Sequence, residues 1–266
     1  MLGSFNADNL FQTFGHLFYA ALGFILSGAV LHKLMQIGCE QWQALVINGA
    51  AQLGVDVRPS QAELLARHCQ LLLEWNRKFN LTAITDPGEM AVKHVLDALA
   101  PVAHIPNQGH LLDIGTGGGF PGIPLKVLRP DQNMTLIDAS RKKINFIKHV
   151  IRQLQLERIQ ALHARAEDLA GQSGGCKRFH VIVCRALGSL EDILRLAAPL
   201  ILPGGRLVAL KGPREAVHAS AVWEQAPESK QDAPDRCYFK VTSHSYRLPF
   251  QGDSRSLIVL QSCPKE

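Results

Sequence analysis

The stretch LLDIGTGGGFPGIPL, residues 111–125, limits the possible folds more than any other part of the sequence. Five glycines and two prolines follow directly on a short apolar run that contains an acid. A glycine-rich turn between a strand and a helix presents bare backbone N–H groups and the positive end of the helix at the carboxyl edge of a sheet. The stretch therefore predicts an α/β sheet that holds a nucleotide-like ligand at this turn.

Short apolar runs and helical segments alternate along the chain after Gly109. The predicted strands are 110–114, 134–138, 159–164, 179–184 and 206–211, and the predicted helices between them are 122–129, 140–154 and 189–200. This alternation is typical of a parallel sheet covered on both faces. In the tail, CYFKVTSHSYRLPF and RSLIVLQSC predict two antiparallel strands joined at the QGDS turn. We predict no element for 213–235, which is rich in charge and interrupted by prolines.

The N-terminal part differs from the rest. Residues 10–31 carry no formal charge over 22 positions, enough to span a bilayer core. A membrane anchor, a buried helix and a true translation start at Met35 remain open, whereas Asp8 ahead of the apolar run disfavours a secretory signal. From Met35 onward, apolar residues recur at helical spacing through about Leu99, which predicts helices packed on the main domain.

Composition excludes some classes of function. The 266 residues carry a net charge of +5, a mild excess of cations that favours a polyanionic partner without requiring one. The six cysteines form no CxxC pair, and the eleven histidines show no spacing typical of metal ligands. We therefore predict reduced thiols, a cytoplasmic protein and no metal site.

Two cofactor classes fit the glycine turn. Gly117-x-Gly119-x-x-Gly122 matches the dinucleotide pattern GxGxxG, and Asp138 lies 21 residues beyond Gly117, close to the roughly 20 expected of a ribose-binding acid. An NAD(P)- or flavin-dependent oxidoreductase is therefore one interpretation. Asp113 favours another, because a carboxylate repels pyrophosphate and attracts an ammonium or sulfonium group. S-Adenosylmethionine carries both of those cations and an adenosine, and we favour it as the cofactor.

Several motifs occur in order along the chain. They are LLEWNRKFNLTAITDPGEMAVKHVLDAL (72–99), LLDIGTGGGFPGIPLKVLRP (111–130), LIDASRKKINFIKHV (136–150), RAEDL (165–169), VCRAL (183–187) and LKG (210–212). With them, the chain resembles the bacterial small-subunit ribosomal RNA guanine-N7 methyltransferases, formerly called glucose-inhibited division protein B. The resemblance runs from Met35 to the C-terminus. One departure is Gly118, where many relatives have proline.

The resemblance implies a Rossmann-like class I methyltransferase fold. This fold has a seven-stranded, mostly parallel sheet with an antiparallel C-terminal strand, preceded here by N-terminal helices. We divide the chain into an apolar extension (1–34), an N-terminal helical region packed on the core (35–105) and an S-adenosylmethionine-dependent methyltransferase domain (106–266).

The implied activity is methylation of guanine N7 in the 530 loop of 16S ribosomal RNA. The partner is then 16S RNA or the small ribosomal subunit, with no obligatory protein partner, and with membrane association only if 10–31 is an anchor. N7 has an available lone pair, so we assign no catalytic acid or base. A methyltransferase acting on another RNA and a non-catalytic RNA-binding module remain alternatives.

The resemblance and the charge argument together give the expected site residues. The cofactor-binding set is Asp113, Gly115, Gly117, Phe120, Asp138, Ala166, Glu167 and Arg185. In it, Asp138 is expected at the ribose or as a helix cap, and Ala166 and Glu167 near the adenine. Phe120 is expected in the turn or in the core, and Arg185 at an anionic group or on the surface. The RNA-binding set is Arg77, Lys78, Asn80, Lys142 and Lys211.

Overall fold

The structure of the chain is a computed structural model. It describes residues 35–171, 178–212, 222–225 and 237–263. The expectations for the extension 1–34, including an anchor at 10–31, lie outside the described residues. Within the part of the chain that is described, no helix is both long and apolar enough to cross a membrane.

The described strands form one sheet. They are β1 His110–Ile114, β2 Asn133–Asp138, β3 Ile159–His163, β4 Phe179–Arg185, β5 Ile201–Lys211, β6 Val222–Gln225, β7 Cys237–Arg247 and β8 Ser254–Cys263. Their order is β3-β2-β1-β4-β5-β8-β7-β6. The first five pair in parallel, and β8, β7 and β6 continue the sheet with antiparallel pairing. The mostly parallel sheet with an antiparallel tail is confirmed, with one short strand, β6, inside the segment for which no element is predicted.

The helices flank this sheet. They are α1 Glu40–Gln52, α2 Pro59–Phe79, α4 Gly122–Leu128, α5 Arg141–Gln153, α6 Ala166–Gly171 and α7 Leu190–Ala197. Between α2 and β1 lies α3, which starts as Pro87–Glu89, continues as a π-helix over Met90–Leu96 and ends as Asp97–Leu99. The Asp86 side chain accepts a hydrogen bond from the Glu89 N–H and so caps its start.

Alternate residues of the central strands pack on opposite faces of the sheet. Leu111, Val181 and Val183 belong to the core that also contains apolar residues of α1, α2 and α3. Leu112 and Ile182 point the other way and share a second core with α7. The helices of 35–105 thus cover one face of the sheet, while the boundary at residue 105 stays a prediction.

The strand order reverses between β1 and β4, which pair side by side although β2 and β3 separate them in the chain. Such a switch point opens a crevice outside the carboxyl ends of the strands, where ligands of open α/β sheets bind. At this edge β1, β2, β4 and β5 end, and the antiparallel β8 begins.

Candidate functional site

The glycine turn joins β1 to α4 at the switch point. Gly115, Gly117 and Gly119 have φ angles of +71°, +57° and +94°, in the left-handed region that glycine adopts readily. At Gly119 a Cβ would also lie only 2.8 Å from Ile123, whereas at Gly117 it would meet nothing closer than a backbone oxygen at 3.8 Å. The turn is therefore packed on its inner side and bare at Gly117.

Asp113 lies beneath the turn. Its side chain is fully buried, and its Oδ2 accepts a hydrogen bond of 2.9 Å from the Gly122 N–H, which fastens the start of α4 to β1. Burial raises the pKa of this carboxyl to about 7, although Thr116 and the Gly122 N–H favour the charged form. The sequence argument that Asp113 meets a ligand at the mouth of the turn needs correction, because the buried carboxyl shapes the turn from below.

Asp138 ends β2 beside the turn. Its Oδ2 accepts from the Gly117 N–H at 3.0 Å, and its Oδ1 accepts from the Ser140 N–H at 2.8 Å at the start of α5. Lys143 lies 3.8 Å from the same carboxylate. The structure thus places Asp138 both at the turn and at the helix start. Its expected bond to a ribose stays a prediction.

Phe120 is buried between two imidazole rings. The His68 and His94 ring centroids lie 4.7 and 4.6 Å from that of Phe120. Burial lowers the pKa of His68 to about 4, and burial together with Arg185 lowers the pKa of His94 to about 3, so both rings are neutral at neutral pH. Phe120 therefore packs in the core, the second of its two expected places, and it also lies 5.2 Å from the Arg185 guanidinium carbon.

Arg185 ends β4 and is held by α3. Its guanidinium donates to the Lys93 carbonyl at 3.0 Å, to Asp97 Oδ2 at 3.4 Å and to His94 Nδ1 at 3.3 Å. Because a guanidinium only donates, His94 carries its hydrogen on Nε2 and donates it to the Thr82 hydroxyl at 2.8 Å. Arg185 is thus an oriented cation at the crevice and not an ordinary surface arginine.

Ala166 and Glu167 open α6, which follows shortly after β3 ends at His163. Ala166 is buried in the second core, whereas Glu167 is exposed. Both lie at the carboxyl edge of the sheet, on the side of β2 away from β4. Their expected contacts with an adenine stay a prediction.

The residues expected to bind RNA fall into two groups. Arg77 and Lys78 lie in the last turn of α2, Asn80 ends that helix with a φ of +49°, and Lys142 lies in the first turn of α5. These four residues lie at the surface. Lys211 differs, because it is 6% exposed and its Nζ donates to the carbonyls of residues 187 and 188. The structure does not bring Lys211 to the surface with the others.

Sequence reasoning missed three residues next to Arg185. Asp97 Oδ1 accepts a hydrogen bond of 2.7 Å from the Tyr246 hydroxyl, and it lies 3.9 Å from Arg255 Nε. Burial and the Asp97 carboxylate raise the pKa of Tyr246 above its usual range. The one available signal is Asp97 itself, a charged residue within the apolar helical run VLDALA.

With this geometry established, comparison with known proteins decides the family. Residues 61–234 match the sequence model of the family described as GidB, rRNA small subunit methyltransferase G. The chain belongs to this family.

Relatives in the rRNA small subunit methyltransferase G family match most of the chain. Two proteins called Ribosomal RNA small subunit methyltransferase G, from Geobacter sp. (strain M21) and Geobacter metallireducens, are each 41% identical over 81% of this chain. The match covers 95% and 94% of their own lengths. The resemblance seen in the sequence is thereby confirmed, and the oxidoreductase alternative is not favoured.

A solved structure supports the fold. A proposed O-methyltransferase from Klebsiella pneumoniae superposes with a TM-score of 0.52 at 16% identity, over 85% of this chain and 99% of that chain. At this identity the likeness concerns the fold alone. Together with the strand order, it confirms the Rossmann-like class I methyltransferase fold.

Proposed function

We propose that this protein transfers the methyl group of S-adenosylmethionine to N7 of a guanine in the 530 loop of 16S ribosomal RNA. The observation that carries the proposal is the match to relatives named for methylation of the small-subunit RNA, over nearly their whole length. Because ribosomal RNA is the substrate, we place the reaction in the cytoplasm. The partner is 16S RNA or the small subunit, with no obligatory protein partner.

The glycine turn fits the cofactor. Its backbone is bare at Gly117, and a carboxylate, that of Asp138, lies beside it at the end of β2. Bound there, S-adenosylmethionine supplies a methyl group on a positively charged sulfur. Gly115 and Gly117, whose N–H groups bond to Ile137 and Asp138, would line it with uncovered backbone. Asp138 would hold its ribose, and Ala166 and Glu167 would lie on the side of its adenine.

The chain's contribution to the reaction is orientation and electrostatics. Guanine N7 offers a lone pair, so the attack needs no general base, and alignment of the two reactants lowers the barrier. The histidines nearest the turn fit this picture, since His68 bonds to the Gly118 carbonyl at 2.8 Å and His94 to the Thr82 hydroxyl. Both rings are buried and hydrogen-bonded, which makes them supports of the turn and of Arg185.

The RNA must present N7 outside a regular helix. The major groove of an RNA duplex is deep and narrow, so a protein reaches N7 in a loop or a distorted segment. The exposed cations at the end of α2 and the start of α5 could contact the phosphates of such a segment. Recognition then depends on RNA shape and phosphate contacts.

The experiment follows a labelled methyl group. Purified protein is incubated with S-adenosylmethionine carrying a labelled methyl, and with unmodified 16S RNA or small subunits, and the modified nucleotide is mapped. We expect one N7-methylguanine in the 530 loop. Transfer to another RNA in preference to 16S RNA, or no transfer to any RNA, would contradict the proposal.

A control separates the two cofactor classes. A ligand that binds only the folded protein raises its melting temperature. We expect S-adenosylmethionine to raise it, and NAD at the same concentration to leave it unchanged.

A further inference from the structure

A second pocket lies on the other side of Arg185 from the glycine turn. It has a volume of about 340 Å³ and is lined at the ends of β4 and β5 and the start of β8 by Arg185, Lys211 and Arg255, with Asp97 as its acidic member. Residues 186–188, Leu210 and Gly212 complete the wall. The cofactor-binding set expected from the sequence includes Arg185, whereas Arg255 and the space between the two arginines are unexplained.

The charge inside this pocket is positive. Three cationic side chains line it against one carboxylate, that of Asp97. Asp97 is shared, since it lies 3.4 Å from the Arg185 guanidinium and 3.9 Å from that of Arg255, and it also accepts from Tyr246. The Asp253 carboxylate, outside the lining, also lies 3.6 Å from Arg255. Asp97 and Asp253 together carry less charge than the three cations, so the pocket still favours an anion.

Arg255 is the member best placed to meet a ligand. Its side chain is 24% exposed, and its contacts with Asp97 and Asp253 are long, at 3.9 and 3.6 Å. Its Nη1 donates to the Ser254 carbonyl at 3.0 Å, which uses one of the five N–H donors of the guanidinium. Lys211, by contrast, donates hydrogen bonds to the carbonyls of residues 187 and 188, so it stabilises the loop that lines the pocket. A planar guanidinium with partly exposed donors suits a phosphate, which it can bind through two parallel hydrogen bonds.

The position in the sheet separates Arg255 from the cofactor, whereas the other end of the pocket reaches the glycine turn, where Leu187 would lie 3.3 Å from a Cβ at Gly115. The glycine turn follows β1, and the order β1-β4-β5-β8 puts Arg255 three strand positions away, roughly 14 Å at the usual spacing between strands. Asp138 and α6, which are expected to hold the adenosine, lie in the opposite direction from β1. An anion beside Arg255 therefore belongs to the substrate side of the crevice.

We propose that this pocket binds a backbone phosphate of the RNA substrate, through Arg255 together with Arg185. Asp97, which accepts a hydrogen bond from Tyr246, is a positioning residue that holds the two guanidinium groups at the pocket. The inference rests on the proposed function, because it takes RNA as the substrate, and it adds the place where one RNA phosphate binds.

The first test removes the charge of Arg255. The Arg255→Gln variant is compared with Arg195→Gln, whose arginine lies exposed on α7 and pairs with Asp192 outside the pocket. Equilibrium binding of unmodified 16S RNA is measured over a range of salt concentrations. We expect Arg255→Gln to bind RNA about tenfold more weakly and to lower the slope of log K against log salt by about one. Arg195→Gln should match the wild type, and both should bind S-adenosylmethionine normally.

The second test adds charge to the wall and does not depend on the first. At Gly212 a Cβ would meet nothing within 4 Å, so a side chain fits there without a clash. We expect Gly212→Asp to bind RNA more weakly than the nearly isosteric Gly212→Asn. The difference should shrink as salt is raised, because screening weakens the repulsion between the carboxylate and a phosphate.

Two results would overturn the pocket assignment. One is an unchanged RNA affinity and salt slope in Arg255→Gln, with Gly212→Asp equal to Gly212→Asn. The other is weaker binding of S-adenosylmethionine with unchanged RNA affinity, which would assign the pocket to the cofactor's carboxylate. RNA binding is measured separately from methyl transfer, so a failure of the proposed function shows as a wild-type protein that transfers no methyl group.

Discussion

The two halves of the carboxyl edge of the sheet carry opposite charge. At the end of β2 the Asp138 carboxylate lies beside a turn of bare backbone, and the Asp113 carboxyl is buried beneath that turn. At the ends of β4 and β5 and the start of β8 lie Arg185, Lys211 and Arg255. We therefore expect the cationic methyl donor to bind at the first half of the edge and the polyanionic RNA at the second.

The two halves are also built differently. The glycine-turn half comes from one continuous stretch, 111–140, in which the turn bonds to its own neighbouring strand, as in the bonds from the Gly115 and Thr116 N–H groups to the Ile137 carbonyl. The cationic half joins distant parts of the chain, and the hydrogen bond from Tyr246 to Asp97 spans 149 positions. The cofactor side therefore depends mainly on local sequence, although the distant His68 also bonds to the Gly118 carbonyl. Tertiary packing assembles the RNA side.

Arg185 lies where the two halves meet, and its loss should have the largest effect. Arg185→Gln removes the cation and the donors to Lys93 and Asp97, and a misplacement of about 1 Å in an active site costs about 100-fold in rate. We expect kcat/KM for methyl transfer to fall by that factor. Arg185→Lys should recover only part of it, because an ammonium cannot reproduce the fork of contacts. Activity of Arg185→Gln close to that of the wild type would contradict the importance of Arg185 at the meeting point of the two halves.

The cofactor side should respond next most strongly, through Gly119. In Gly119→Ala the left-handed backbone costs about 1–2 kcal/mol, and the new Cβ would lie 2.8 Å from Ile123. We expect lower stability to urea and a weaker affinity for S-adenosylmethionine. Gly118→Ala is the matched control, since its Cβ would meet Leu72 at 3.3 Å and its φ is not positive. Equal losses in the two variants would show that the shape of the turn does not control cofactor binding.

Asp138 tests the carboxylate of the cofactor half. Asp138→Asn replaces one carboxylate oxygen by an NH2 group that only donates, so either the Gly117 or the Ser140 N–H, which bond to different oxygens, loses its acceptor. We expect about tenfold weaker binding of S-adenosylmethionine, the size of one lost charge-assisted hydrogen bond. Calorimetric titration measures the affinity, and RNA affinity serves as the control. A variant that loses RNA affinity and keeps cofactor affinity would reverse the assignment of the halves.

The smallest effect on activity is expected at Asp113, where pH dependence is the informative readout. The folded-state pKa is about 7 against an ordinary value of 3.8, so the folded protein retains a proton that the unfolded chain loses between these values. The stability of the wild type relative to Asp113→Asn should therefore fall as pH rises from about 4 to about 7, and level off above. Denaturant unfolding of both proteins across this pH range measures the difference in their free energies of unfolding. A difference that rises with pH would show that Asp113 is buried as a stabilised carboxylate.

The strands show how far the sequence carries the fold. Strands β1 to β4 lie within one residue of their predicted bounds, because each is a short, mostly apolar run between polar or glycine-rich segments. Strand β5 begins at Ile201, earlier than the predicted residue 206. The prediction was wrong because Pro203, Gly204 and Gly205 are typical of a turn. The structure accommodates them with a register shift opposite Phe179 and Val181.

The candidate site shows where sequence reasoning stops. The pattern places Asp113 at a strand end, but β1 is buried on both faces, so alternation alone does not say whether the carboxyl meets ligand or core. The sequence pattern also predicts a role for Arg185, but it does not show that residues of α3 hold the guanidinium in place. Asp97, Tyr246 and Arg255 come together only through the packing of α3 on the sheet and the pairing of β7 with β8.

The position of the bound cofactor is the most direct test of the claim that the two halves of the carboxyl edge bind different ligands. A crystal structure with S-adenosylhomocysteine, the product of methyl transfer, would show which half it occupies. We expect its ribose at Asp138, its adenine beside Ala166 and Glu167, and no part of it in contact with Arg255. An adenosine seated among Arg185, Lys211 and Arg255, with the glycine turn empty, would contradict this account.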